Sequence, residues 1–105
     1  MKLNIKTKDI ELSDSLSAYV NSKIVVLDKL LYQYNKENSL LVDLELARIT
    51  KHHQKGNVYM VVANVEFGGN IIRADYTGED LYKGINTVKQ TLKREVGKFK
   101  ELQKV

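Results

Sequence analysis

Val58-Tyr59-Met60-Val61-Val62-Ala63-Asn64-Val65-Glu66-Phe67 runs into Gly68-Gly69-Asn70 and then into Ile71-Ile72-Arg73-Ala74-Asp75. The first run alternates, so that Tyr59, Val61, Ala63, Val65 and Phe67 share one face of a strand. Gly68, Gly69 and Asn70 tolerate positive φ, which predicts a tight hairpin turn, with Ile71 to Asp75 as the return strand. A hairpin with one apolar face needs a second layer over that face.

The covering elements flank it in the chain. After the hairpin, Glu79 or Asp80 opens a helix whose apolar line is Leu81, Ile85, Val88, Leu92, Val96 and Phe99, a helical stripe of about six turns. Gly84 and Gly97 lie inside it, each costing about 1 kcal/mol relative to Ala. Before the hairpin, Leu40, Val42, Leu44 and Leu46 alternate with Leu41, Asp43, Glu45 and Ala47 as a second strand type with one buried face. Further back, Ser13 is a good N-cap with Asp14 in the first turn. Leu16, Tyr19, Val20, Ile24, Leu27, Leu30, Leu31 and Tyr34 then follow at helical spacing for about five turns. Leu3-Asn4-Ile5-Lys6 is a short strand at the start. The order is β-α-β-β-β-α, an α+β two-layer sandwich with a four-stranded mixed sheet and two helices on one face. A right-handed crossover makes the first two strands parallel. No proline interrupts either helix.

The 105 residues, 43% hydrophobic and 29% charged, fit one globular domain spanning 1–105. No cysteine is present, which excludes a disulfide scaffold and thiolate chemistry. No apolar run suits a signal peptide or the roughly 20-residue span of a bilayer, so a cytoplasmic protein with no membrane partner is expected. The serines lie at helix starts, helix surfaces and a strand edge, with no glycine-flanked elbow, and Gly68-Gly69 leads into a strand instead of a phosphate-cradling helix. Asp43 and Glu45 share a strand face, which reads as solvated. No catalytic constellation stands out, and no cofactor or small-molecule substrate is expected.

The net charge is +4. Residues 79–105 hold seven basic side chains against four acidic ones, and residues 48–73 hold Arg48, Lys51, Lys55 and Arg73 against Glu66 alone. Two local excesses invite a polyanion. His52 and His53 are adjacent in the polar loop 50–57. They lack the partners of a metal site, and no metal is expected. They read as solvated loop or, amid Arg48, Lys51 and Lys55, as a phosphate or base contact. On charge alone the last helix reads first as a solvated face, with Glu95 serving Arg94's neighbours and Glu101 pairing with Lys98. Lys89, Lys93 and Lys100 nevertheless stay close in helical angle, and the Lys89–Lys93 pair is mildly repulsive unless a polyanion lies between them.

The sequence Leu3-Asn4-Ile5, then Glu11-Leu12-Ser13-Asp14-Ser15-Leu16, Tyr19-Val20 and Lys23, resembles the short form of the bacterial ribosome hibernation-promoting factor and ribosome-associated inhibitor family. The likeness continues through Arg73-Ala74, Glu79-Asp80-Leu81-Tyr82, Ile85, Leu92, Arg94, Lys98 and Lys100, and covers nearly the whole chain. It implies a small-subunit partner, 16S rRNA with neighbouring ribosomal proteins, held in the channel of messenger RNA and the A- and P-site transfer RNAs. It implies reversible silencing of translation, preservation of idle ribosomes, and no catalysis. By position, Lys23, Arg94, Lys98 and Lys100 are expected to face rRNA phosphates, and Asp80 and Tyr82 to serve capping and packing. Val26 and Thr91 stand where the family often has lysine, and Lys89 and Lys93 are expected to compensate. The chain ends after the second helix, so neither an acidic tail nor a dimerising domain is expected. The expected rRNA-binding set is Lys23, Arg48, Lys51, His53, Lys55, Lys89, Lys93, Arg94, Lys98 and Lys100. Two other readings are a double-stranded RNA-binding module and a protein-interaction domain that uses the exposed sheet face.

Overall fold

In the computed structural model, which describes residues 1–34, 39–49 and 56–103, the strand register sets everything else. The elements in chain order are β1 (Lys2–Lys8), α1 (Asp14–Leu30), a 3-10 turn (Tyr32–Tyr34), β2 (Leu41–Ile49), β3 (Val58–Phe67), β4 (Asn70–Gly78) and α2 (Leu81–Gln103). The sheet order is β1-β2-β3-β4. β1 pairs parallel to β2, and the other two pairings are antiparallel. This is the architecture read from the sequence.

The hairpin is tighter than the three-residue turn expected. Phe67 pairs with Asn70, leaving Gly68 and Gly69 as the two turn residues with φ of 51° and 79°. Two successive positive φ values make a primed turn, whose twist matches that of the strands. The Asn70 side-chain amide donates to the carbonyls of Phe67 and Gly68 at 3.3 and 3.1 Å and braces the corner. β4 also runs past Asp75 to Gly78, because Tyr76 continues the alternation and pairs with Val61.

One core fills the space between sheet and helices. Val42, Leu44 and Leu46 of β2, and Val61, Ala63, Val65 and Phe67 of β3, meet Val20, Ile24 and Leu27 of α1 and Ile85, Val88, Leu92 and Val96 of α2. Each valine, leucine, isoleucine or phenylalanine among them stabilises the fold by about 1.5–3 kcal/mol on burial. α1 starts at its expected cap, where the Leu16 N–H donates to Ser13 Oγ at 3.1 Å. It stops earlier than expected. Leu31 is its C-cap, and the Tyr34 N–H bonds the Leu31 carbonyl at 2.9 Å. The tighter turn carries Tyr34 out of the helix and onto Phe67 and Phe99, with ring centroids 5.4 and 5.5 Å away. These three rings close one end of the core.

Candidate nucleic-acid interface

α2 supplies most of the cations, and its geometry decides where they point. Asp80 caps it: the Lys83 N–H donates to Asp80 Oδ1 at 3.1 Å, and the Gly84 N–H to the Asp80 carbonyl at 2.9 Å. Gly84 lets the helix lie close on the sheet, since a Cβ there would overlap the Tyr76 ring and press on Val61. The buried stripe leaves the remaining faces to Lys83, Lys89, Lys93, Arg94, Lys98 and Lys100, against only Glu95 and Glu101.

Those cations form two files. Lys89, Lys93 and Lys100 follow Tyr82 by 7, 11 and 18 residues, which keeps them within about 20° of its line at 3.6 residues per turn. Tyr82 faces α1: its ring meets Tyr19 edge-on, centroids 4.7 Å apart, and its carbonyl accepts from the Tyr19 hydroxyl at 3.2 Å. The inner file therefore borders the groove between the helices. Lys23, one turn beyond Tyr19, stands on the other wall of that groove, its ammonium 5.3 Å from the Tyr19 ring centroid. The groove runs from the Tyr19–Tyr82 contact to the Tyr34–Phe99 contact.

The outer file is Arg94 and Lys98, turned away from α1 and exposed. Lys83 belongs to it, eleven residues before Arg94, and was missing from the expected set although the spacing alone places it there. Lys98 pairs with Glu95 at 3.4 Å, not with Glu101 as expected. A glutamate N-terminal to its lysine is the better oriented arrangement on a helix. Both side chains are exposed enough that the pair leaves Lys98 free to exchange partners.

Arg48 is exposed at the end of β2, at the end of the sheet where both helices begin. Lys51, His53 and Lys55, and their neighbour His52, lie outside the described residues. The second basic segment is split by the fold. Arg73 pairs with Asn64 across β3 and β4 and projects from the open side of the sheet, away from the helices. Sequence distance grouped Arg48 with Arg73, and strand alternation separates them. Val26 packs against the core beside the groove, so the position where the family often has lysine adds no charge there.

The open side of the sheet is electrically balanced. Lys2, Lys6, Lys8 and Arg73 are interspersed with Asp43, Glu45, Glu66 and Asp75, all exposed. Asp43 accepts from the Asn4 amide at 3.1 Å, so the Asp43 and Glu45 face is solvated and partly paired, as read. Among the described residues, no group of three His, Cys, Asp or Glu could hold a metal ion.

Comparison with known proteins bears on the family and the fold. A "Ribosome hibernation promotion factor" of Lactococcus lactis subsp. cremoris is 31% identical over 100 residues, covering 95% of this chain and 50% of that protein. A second, from a Picosynechococcus species, is 35% identical over 107 residues. The chain spans about half the length of these two relatives. The "Ribosome hibernation promoting factor" of Escherichia coli K12 is 25% identical over 101 residues, covering 96% of this chain and 95% of that one. The fold matches the Thermus thermophilus Protein Y N-terminal domain with a TM-score of 0.72 at 22% identity, over 94% of this chain and 99% of that one. It matches a ribosomal subunit interface protein from Coxiella burnetii with a TM-score of 0.70 at 19% identity, over 96% and 99%. Residues 3–104 match the family described as Sigma 54 modulation protein / S30EA ribosomal protein, and the chain belongs to that family.

Proposed function

We propose that this chain binds the small ribosomal subunit through rRNA in the channel for messenger and transfer RNA, reversibly silencing translation and preserving idle ribosomes. The observation that carries the reading is the one-sided charge: α2 holds six cations against two carboxylates, while the open sheet face is balanced. The names of the curated relatives support a ribosomal partner and a role in hibernation. Binding is the whole activity here; no bond is made or broken. Among the described residues no helix is long and apolar enough to cross a membrane.

The physical mechanism is counterion release. Lys89 and Lys93 stand about 6 Å apart along the helix axis, within the ~8 Å Debye length at physiological ionic strength, so a phosphate chain meets them jointly. Each neutralised phosphate steepens the salt dependence by about 0.7–0.9 in log–log slope. Five such contacts predict a loss of roughly a hundredfold or more in affinity between about 50 and 200 mM salt. The test is co-sedimentation with purified small subunits at two salt concentrations. Failure to co-sediment at low salt overturns the reading. Preference for an isolated RNA duplex over the subunit favours a duplex-binding module, and salt-insensitive binding favours a protein-interaction domain.

A further inference from the structure

At the end of the molecule where both helices begin lies a hollow of about 300 Å³, lined by Asp9, Glu11, Arg48, Tyr59, Leu81 and Tyr82 among others. That volume is at the small end of ligand-binding cavities. Arg48 and Tyr59 are cross-strand partners on β2 and β3. Leu81 and Tyr82 are the first two residues of α2. None of these groups is one of the α2 cations described above.

We infer that this hollow receives one unstacked nucleobase of single-stranded RNA. The inference rests on the RNA-binding reading and names the kind of RNA that reading leaves open. The contact of Tyr82 with Tyr19 is edge-on, with an interplanar angle of 71°, and Tyr82 keeps 43% of its surface exposed. An aromatic ring with free surface beside an apolar wall, here Leu81 and the Tyr59 ring, is a stacking platform for a base. Arg48 has no ion pair or hydrogen bond among the described residues and is exposed at the rim, where a guanidinium meets a phosphate.

Asp9 and Glu11 set the orientation and the preference. Ionised carboxylates only accept hydrogen bonds, and they repel a phosphate. The backbone of the nucleotide therefore approaches from Arg48, and the base edge faces the acids. Adenine N6 and cytosine N4 donate to such acceptors, whereas uracil offers only its N3–H, flanked by two carbonyl oxygens that the carboxylates repel. Bases in a duplex are stacked and paired, so only an unpaired nucleotide enters. Tyr82 borders both the hollow and the groove, so the strand continues along Lys89 and Lys93 on the same line of the helix.

The experiment measures fluorescence anisotropy of the full chain with labelled hexamers of adenosine, cytidine and uridine at about 50 mM salt, where phosphate contacts are strong. The adenosine and cytidine hexamers are expected to bind about tenfold more tightly than the uridine one, given the worth of a satisfied base-edge contact. Tyr82→Leu is expected to weaken the adenosine hexamer roughly 5- to 150-fold, the worth of one stacked base, and Tyr82→Phe to leave it unchanged. Glu11→Gln, an exposed change that keeps the fold, is expected to narrow the gap between adenosine and uridine. Titration of the wild-type chain with AMP should shift the Tyr82 and Tyr59 ring protons upfield, and UMP should do so less. Equal affinities for all three hexamers, or unmoved tyrosine resonances, overturn the hollow as a base site. Base preference without co-sedimentation overturns the ribosome reading alone, and co-sedimentation without base preference overturns this inference alone.

Discussion

The two sides of the sheet are built from the same residue types and differ in how charge is distributed over them. The open side places four basic and four acidic side chains in a grid where opposite signs are cross-strand or diagonal neighbours, as in Lys6 opposite Glu45. The field cancels within a few ångström. The helical side is covered by α2, whose six cations meet only two carboxylates, and the field adds. Four cations among four carboxylates therefore leave one surface balanced, and six among two leave the other with a net positive field.

The largest expected effect separates the two sides directly. Replacing Lys93, Arg94, Lys98 and Lys100 with glutamine is expected to lower small-subunit affinity at least a hundredfold at low salt and to reduce the salt slope by about four. Replacing Lys2, Lys6, Lys8 and Arg73 removes the same charge from the open side and is expected to change affinity severalfold at most. Equal losses from the two sets in co-sedimentation would dissolve the distinction between the faces.

A second comparison lies within α2. Gly84→Ala places a methyl against Tyr76 and Val61 and is expected to destabilise by about 1–2 kcal/mol, overpacking outweighing the gain in helix propensity. Gly97 has nothing within 4 Å of the corresponding position, and Gly97→Ala is expected to stabilise by about 0.5–1 kcal/mol. Thermal unfolding of the two variants should move in opposite directions, by about 4–8 °C for each kcal/mol in a domain of this size. Asp80→Ala removes the cap and is expected to cost about 1 kcal/mol in the same measurement. The smallest effect is on the free protein. Lys93→Gln relieves its repulsion with Lys89 and should raise stability by about 0.2–0.5 kcal/mol, while binding to the subunit weakens. A change of the same sign in stability and affinity would show that the inner file is not held apart for a polyanion.

Much of this was legible in the chain. Period-two alternation in Val58–Phe67 and the stripe from Leu81 to Phe99 gave the elements, because burial of one face leaves its period in the sequence. Ser13 is readable as a cap from its place before the apolar stripe, whereas the start of α2 stays open between Glu79 and Asp80 until the Lys83 N–H bond to Asp80 decides it. Helical spacing carries α1 to Tyr34, but the helix ends at Leu30, since an apolar residue at that spacing is equally well used by a 3-10 turn that packs it on Phe67 and Phe99. Spacing alone does not choose Lys98's partner, because Glu95 and Glu101 are both three residues away, and the structure pairs it with Glu95.

The candidate site was legible as a list of cations, and not as a surface. Sequence alone determined the order of elements, the buried faces and the excess of positive charge, all of which depend on local periodicity and count. Tertiary structure decided which charges act together. Strand alternation sent Arg73 to the balanced side, helix packing put Lys23 beside the Lys89–Lys93 file, and the Tyr19–Tyr82 contact fixed which face of α2 borders the groove. Electrostatic and stacking interactions fall off over a few ångström in space, and the sequence records separation only along the chain.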